Sequence, residues 1–135
     1  MRSVGWLDAH KDFPTGSVAS ELVEHLYFLA IHEPRGQTLG FHNCPFEGCE
    51  DVETMSIHTS PQGQKIALGS AEVWVMSTVG GGWIAPNLTA HYVDAHRYLP
   101  PADFLRDLAH SLASENEWKR VRRSMRRWIG RSFDR

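Results

Sequence analysis

Two pairs of potential metal ligands occur in the chain at the same spacing. Four residues separate Cys44 from Cys49, and four residues separate His91 from His96. A Cys-x₄-Cys pair followed by a His-x₄-His pair fits the spacings found in structural zinc sites. Zinc binds thiolate sulfur and imidazole nitrogen in tetrahedral geometry, and four protein ligands leave no open coordination position. The sequence therefore predicts a closed structural zinc site formed by these four side chains.

Other interpretations of the same residues stay open at this stage. The chain contains eight His, so a pair at this spacing can arise by chance. The two Cys could instead form a disulfide or stay as unrelated buried thiols. Another metal could also take the site. His42, two residues before Cys44, is the main rival ligand.

The elements around the ligands suit a metal site. Pro45 and Gly48 lie between the two Cys and favour a tight reversal of the chain. The two His are predicted on a zinc-finger-like helix over about 87–96, with Asn87 as its cap. A five-residue step turns roughly 140° around a helix, so the second His must lie in a loosened last turn. Asp94 is expected to orient one of the His ligands.

The composition indicates an ordinary soluble globular chain, with 41% hydrophobic residues. No apolar run is long enough to span a bilayer, and the first residues form no apolar secretory segment. We therefore expect a single domain over residues 1–135 in the cytoplasm, with reduced thiols and no membrane partner. No residue pattern identifies a small-molecule substrate.

The rest of the chain predicts an α+β fold with packed helices. A helix is expected from a cap at Ser17 or Ser20 to about Ile31, after an N-terminal segment with little regular structure. Alternation of apolar and polar residues predicts a small antiparallel sheet of hairpins over about 53–85, starting near Met55. Three consecutive glycines at 80–82 are expected to form the turn of the last hairpin.

The C-terminal segment is strongly basic. Residues 119–135 hold eight of the fourteen Lys and Arg and one acid, while residues 1–118 carry six basic and fifteen acidic residues. The two parts therefore have net charges of +7 and −9. We expect one helix over about 102–114 and a separate basic helical extension over 115–135. The side chains expected to dock that extension on the domain are those at a spacing of three and four: Trp118, Val121, Met125 and Trp128.

Several motifs resemble a family of small uncharacterised bacterial domains. They are Gly5-Trp-Leu-Asp8, Phe13-Pro-Thr-Gly16, Gly40-Phe-His-Asn-Cys44, Gly69-Ser-Ala-Glu-Val73 and the run from Ala85 to Phe104. The resemblance covers about residues 5–105 and implies that the two Cys and the two His of the ligand pairs form one site. It implies no established activity, and it leaves the basic extension outside the family.

These features favour a zinc-stabilised module that binds a protein partner, in an adaptor or immunity-type role. That role rests on analogy alone. Nucleic-acid binding through the basic extension is the main alternative, because it carries several arginines along a helix with Trp118 and Trp128 nearby. The residues predicted to contact nucleic acid are Lys119, Arg122, Arg123, Arg126 and Arg127.

A zinc-dependent hydrolase is the second alternative. The chain has no His-Glu-x-x-His motif, no nucleophile elbow and no phosphate-binding loop followed by Lys and Ser or Thr. These missing signatures weigh against an enzyme without deciding the question.

Overall fold

A computed structural model describes residues 1–37, 42–46, 48–49 and 57–133, with side chains described up to residue 127. The described residues form three helices and five strands in an α+β arrangement, as the sequence predicts. In chain order they are β1 (Arg2–Ser3), α1 (Ser20–His32), β2 (Ile57–Thr59), β3 (Lys65–Ala67), β4 (Glu72–Met76), β5 (Gly82–Pro86), α2 (Thr89–His96) and α3 (Ala102–Phe133). Met55 lies outside the described residues.

The main sheet has the strand order β1-β5-β4. β4 and β5 form the expected antiparallel hairpin, with Val75 opposite Trp83. The positive φ of +98° at Gly80 and +70° at Gly81 explains why glycines occupy this turn. β1 adds in parallel to β5, and the Val4 amide donates to the Ile84 carbonyl at 2.9 Å. β1 contains two residues, and residues 1–16 otherwise have little regular structure, as the sequence predicts.

β2 and β3 pair with each other in a separate two-stranded antiparallel sheet, so the predicted hairpins do not join into one sheet. Gly69 follows this hairpin and adopts a φ of +109°. A Cβ atom at Gly69 would collide with the carbonyl oxygen of His42. The glycine therefore lets the hairpin and the cysteine loop approach each other closely.

The core lies between the sheet and the helices. Val73, Val75 and Trp83 point to one face of the sheet and are buried, and α3 packs on that face. The Trp83 indole donates a hydrogen bond of 2.9 Å to the buried carboxylate of Asp107 in α3. The same ring meets Phe104 edge-on at 5.6 Å. The hydrogen bond and the ring contact both tie the first turns of α3 to the sheet.

α1 contacts both of the other helices through its buried face. Leu26 and Leu29 are buried there as predicted, and His25 forms a 3.0 Å hydrogen bond with Ser111 of α3. The predicted serine caps are wrong. Ala19 is the N-cap residue of α1, and no side chain caps the helix.

α3 is one continuous helix, so the predicted break near residue 114 is wrong. The Ser114-Glu115-Asn116 sequence contains no proline or glycine that would interrupt a helix. Trp118, Val121 and Met125 are 60%, 38% and 55% exposed, which contradicts the predicted docking of this stripe. The side chain of Trp128 lies outside the described residues. No helix in the described part of the chain is both long and apolar enough to cross a bilayer.

Candidate metal centre

The cysteine loop, residues 42–49, closes through a local hydrogen bond. The amide of Cys49 donates to the carbonyl of Phe46 at 3.1 Å, and Gly48 supplies a φ of +87°. The turn from Phe46 to Cys49 reverses the chain after Cys44, and both cysteine sulfurs face His96. The Phe46 ring packs against His96 at a centroid distance of 4.5 Å, so the loop also covers the ligand helix.

A second contact fixes the start of the loop. The His42 amide donates to the Gly69 carbonyl at 2.8 Å, and the His42 ring stacks on Trp6 with centroids 4.2 Å apart. Among the described residues, His42 does not belong to the group that could hold a metal ion. The rival ligand suggested by its position in the sequence therefore serves here as an aromatic anchor.

α2 carries both candidate imidazoles. It begins at Thr89 after an N-cap at Leu88, so the predicted start at residue 87 and the cap at Asn87 are wrong. Asn87 is buried and accepts a hydrogen bond of 2.7 Å from the Gly69 amide. His96 is the last residue of α2, and Arg97 follows with a left-handed φ of 56°. The helix therefore ends where the His spacing requires it to loosen.

The four predicted ligands come together. Each contributes one ligand atom, and these atoms all lie within 4.8 Å of one another. The Nε2 atom of His96 is 3.3 Å from Sγ of Cys44 and 3.4 Å from Sγ of Cys49. The Nε2 atoms of His91 and His96 are 3.2 Å apart. The arrangement can hold a metal ion.

The distances fit a tetrahedral ion. Zinc bonds of about 2.3 Å to sulfur and about 2.0 Å to nitrogen place a nitrogen and a sulfur ligand roughly 3.5 Å apart. Two nitrogen ligands of such an ion lie roughly 3.3 Å apart. The separations around His96 lie close to these values, so the four side chains need little movement to bind one ion.

Burial keeps His91 and Cys44 neutral without a metal. Burial, with smaller effects of the nearby His58 and His96, lowers the pKa of His91 to about 3. Burial is also the main reason that the pKa of the Cys44 thiol rises to about 11, with a further contribution from Cys49. A neutral imidazole is ready to coordinate, whereas the thiol must lose its proton to the solvent as a cation binds.

The sequence did not point to His58, which lies beside the centre in contact with His91. His58 occupies the middle of β2, and its ring packs against that of His91 with centroids 4.0 Å apart. Its Nε2 atom is buried and has no hydrogen-bond partner among the described residues. No spacing motif links His58 to the other four residues. The only signal in the sequence was a histidine in a predicted strand.

Asp94 does not orient a ligand in the described structure. Its carboxylate accepts a hydrogen bond of 3.0 Å from the Tyr27 hydroxyl, which joins α2 to α1. Burial and the Asp94 carboxylate both raise the pKa of Tyr27, so the phenol stays protonated and remains a donor. The aspartate therefore positions the ligand helix as a whole.

The candidate nucleic-acid-binding residues lie on the distal part of α3. Their side chains are exposed, namely those of Lys119, Arg122, Arg123, Arg126 and Arg127. Arg122 lies 3.7 Å from Glu115, and Lys119 lies over the Phe28 ring at 5.1 Å. This part of α3 is strongly basic because the helix has no acidic residue after Glu117.

Residues 1–109 match the family model described as Domain of unknown function (DUF7919). The chain belongs to this family. The match contains all four candidate ligands and His58, and it ends within the first turns of α3. It thus covers the residues that carry the resemblance to an uncharacterised family, while the family description names neither a metal nor an activity. No curated protein and no solved structure matches the chain.

Proposed function

We propose that this domain is stabilised by one structural zinc ion and that it binds a protein partner through the distal part of α3. The observation that carries the first half is the set of tetrahedral distances around His96. Two sulfurs and two nitrogens are a donor set typical of zinc. With four protein ligands the ion has no free position, so its role is structural.

The ion would join two separate parts of the chain. Cys44 and Cys49 belong to the cysteine loop, and His91 and His96 belong to α2. Structural zinc in small domains contributes roughly 10–16 kcal/mol at neutral pH. The net free energy of unfolding of a domain is roughly 5–15 kcal/mol, so the contribution of the ion would be as large as the total stability.

Metal analysis of the purified full-length chain tests this half of the proposal. We expect about one zinc per chain by mass spectrometry of the metal content. Copper, nickel or iron in place of zinc would contradict the zinc assignment. A folded chain that contains no metal and takes up none from zinc solution would contradict the structural site itself.

Two features of α3 support the protein-binding half. Trp118, Val121 and Met125 form one exposed apolar stripe, which we call the distal stripe. A contiguous patch of exposed, large apolar side chains is typical of a surface that binds another molecule. Basic side chains flank the distal stripe, so the partner that complements it has an apolar patch surrounded by acidic groups.

A groove beside the distal stripe extends this surface. It has a volume of about 450 Å³ and lies between α1, β4 and α3. Trp74 and Met76 from the exposed face of β4 line it together with Trp118. An adaptor or immunity-type protein presents one such surface to one partner, and this more specific role rests on analogy in size and architecture.

Variants of the distal stripe test the interaction. The wild type, a Trp118→Ala/Met125→Ala variant and an exposed-site control, Val79→Ser, would each be used to isolate partners from the native cell. A protein that binds the wild type and the Val79→Ser control but not the stripe variant would then be purified, and its affinity for each of the three chains would be measured. Equal affinity of that purified protein for all three chains would contradict the proposal.

Nucleic acid is the second candidate, and the exposed row from Lys119 to Arg127 favours it. Trp118 is exposed beside this row and could stack on a base. The acidic body opposes such binding, because residues 1–118 carry a net charge of −9. The salt dependence of binding to DNA or RNA tests this alternative. Each neutralised phosphate of duplex DNA steepens the slope of log binding constant against log salt concentration by about 0.9.

A further inference from the structure

The Nε2 atom of His58 is buried and lacks a hydrogen-bond partner among the described residues. A buried polar atom without a partner is costly, and native proteins usually provide it with a water, an ion or a polar group. Because imidazole nitrogen is a common metal ligand, the position of this atom beside a candidate metal centre is informative.

The neighbours of His58 place it at that centre. Its ring lies against His91 with centroids 4.0 Å apart and planes inclined by 43°. Nε2 of His91 in turn lies 3.2 Å from Nε2 of His96. His58 is not one of the four residues whose ligand atoms lie within 4.8 Å of one another, but its ring contacts one of them. A third imidazole therefore lies beside the two imidazoles and two thiols that could hold a tetrahedral ion.

Cys49 is the ligand best placed to be exchanged. Cys44 is buried, whereas Cys49 is only partly buried at the end of the cysteine loop. His96 is a poor candidate for exchange, because its Nε2 atom contacts ligand atoms of all three other residues. Loss of Cys49 would leave one sulfur and two nitrogens on the ion and one open position.

We propose that His58 is a reserve ligand of the metal centre, which occupies the coordination position of Cys49 when that thiolate is unavailable. This inference rests on the proposed zinc site. The exchange replaces a Cys₂His₂ set by a Cys₁His₃ set, and both sets consist of ligands that zinc accepts. It also attaches the β2–β3 hairpin to the ion, because His58 lies at the centre of β2.

A double-mutant cycle on the full-length chain tests the proposal. The variants are Cys49→Ser, His58→Phe and their combination, and zinc affinity is measured by competition with a chelator of known affinity. Phe keeps a flat ring against His91 but offers no nitrogen. We expect His58→Phe to cost about tenfold more affinity in the Cys49→Ser background than in the wild type, since coupled residues are non-additive.

His42→Phe provides the matched control. His42 is the first residue of the cysteine loop, and like His58 it stacks on a ring and lies outside the group of four ligands, but its partner is Trp6 and not a candidate ligand. Its cost in affinity should be the same in both backgrounds. Cobalt spectra supply a second readout. Cys49→Ser should lose one sulfur-to-cobalt charge-transfer contribution, and adding His58→Phe to it should shift the remaining bands, because a water would replace an imidazole nitrogen on the ion.

A kinetic measurement keeps the test independent of the stability of Cys49→Ser. A reserve ligand slows the departure of the ion, so His58→Phe in the otherwise wild-type chain should release zinc to excess chelator several-fold faster. An additive cycle together with an unchanged release rate would overturn the reserve-ligand role while leaving the zinc site intact. A wild-type chain that binds no zinc would overturn both proposals.

Discussion

The Nε2 atoms of His91 and His96 lie 3.2 Å apart although five positions on a helix separate the two residues. An ideal helix would turn them roughly 140° away from each other. The two side chains nevertheless converge at the end of α2, where His96 is the last helical residue and Arg97 follows with a left-handed φ of 56°. The end of this helix is therefore part of the metal site.

His96→Ala should remove the metal and most of the stability together. The Nε2 atom of His96 contacts ligand atoms of the other three residues, so its loss removes the group that the other three ligands surround. Loss of a structural metal ligand is one of the few single changes that cost more than about 4 kcal/mol. Metal content and the thermal unfolding midpoint check this expectation.

His42→Ala provides the comparison. It removes a ring that stacks on Trp6 and should reduce the melting temperature only modestly, with the metal content unchanged. If His42→Ala lost the metal and His96→Ala retained it, the ligand assignment would be wrong.

Trp83→Phe should destabilise the docking of α3 on the sheet. The substitution keeps an aromatic ring against Phe104 but removes the donor of the 2.9 Å hydrogen bond to Asp107. That hydrogen bond is the main reason that the pKa of Asp107 is lowered, followed in the same direction by the nearby Arg106. Because Asp107 is buried, a lower denaturant midpoint is expected.

The pH dependence of this effect has a definite sign. A carboxyl group with a lowered pKa contributes stability above its ordinary value of 3.8, and that stability is lost as the pH falls through its value in the folded protein. The difference between wild type and Trp83→Phe should therefore be largest near neutral pH and shrink in acid. A difference that grew in acid would contradict the role of the hydrogen bond.

The candidate site could be predicted from the sequence because metal ligands have characteristic types and spacings. Two Cys and two His in close pairs are sufficient to indicate a common site, and the structure brings their ligand atoms together. His58 could not be found in this way. It reaches the centre through the packing of a separate hairpin, and its contact with His91 spans 33 positions of sequence.

The fold was predictable where local patterns determine it. The glycine turn between β4 and β5 has a clear local signal, whereas β1 contains two residues and has no periodicity to detect. Asn87 looked like a helix cap because asparagine favours that position, but the Gly69 amide holds its side chain. The distal stripe had the spacing of a core face, and spacing alone cannot show whether a second surface covers it.

His25→Gln should make stability less sensitive to mild acid. Burial lowers the pKa of His25 below its ordinary value of 6.5; Glu115 opposes this shift and Lys119 adds to it. The unfolded chain therefore binds a proton at His25 before the folded chain does, so stability is lost as the pH falls below about 6.5. Glutamine can keep a hydrogen bond to Ser111 and does not titrate.

Denaturant unfolding of both chains from about pH 7.5 to about pH 5.5 measures this effect. The comparison cancels any release of metal, because both chains keep the same four candidate ligands. If the unfolding free energies of wild type and His25→Gln changed with pH in parallel, His25 would bind its proton equally well in the folded and unfolded states, and the prediction would be wrong.

Trp118→Ala should leave the stability of the isolated chain within about 0.5 kcal/mol of wild type, because the side chain is 60% exposed. Leu108→Ala, ten residues earlier on the same helix, should cost about 2–5 kcal/mol because Leu108 is fully buried. Unfolding free energies of the two variants measure this contrast. A large cost at Trp118 would place it in a contact within the chain and would remove the main support for the distal stripe as a partner surface.

Removal of the metal should weaken the cysteine loop and α2 first. The ion would link the loop to the helix, whereas the Trp83–Asp107 hydrogen bond and the Phe104 contact hold α3 to the sheet independently of the metal centre. With a strong zinc chelator we expect a lower melting temperature, which stoichiometric zinc restores. Hydrogen exchange should show early loss of protection at the amides of His42 and Cys49, whose bonds to Gly69 and Phe46 hold the loop. The amide of Val4, bonded to Ile84 in the sheet, serves as the internal control. An unchanged melting temperature, with equal protection of all three amides, would show that no metal stabilises this centre.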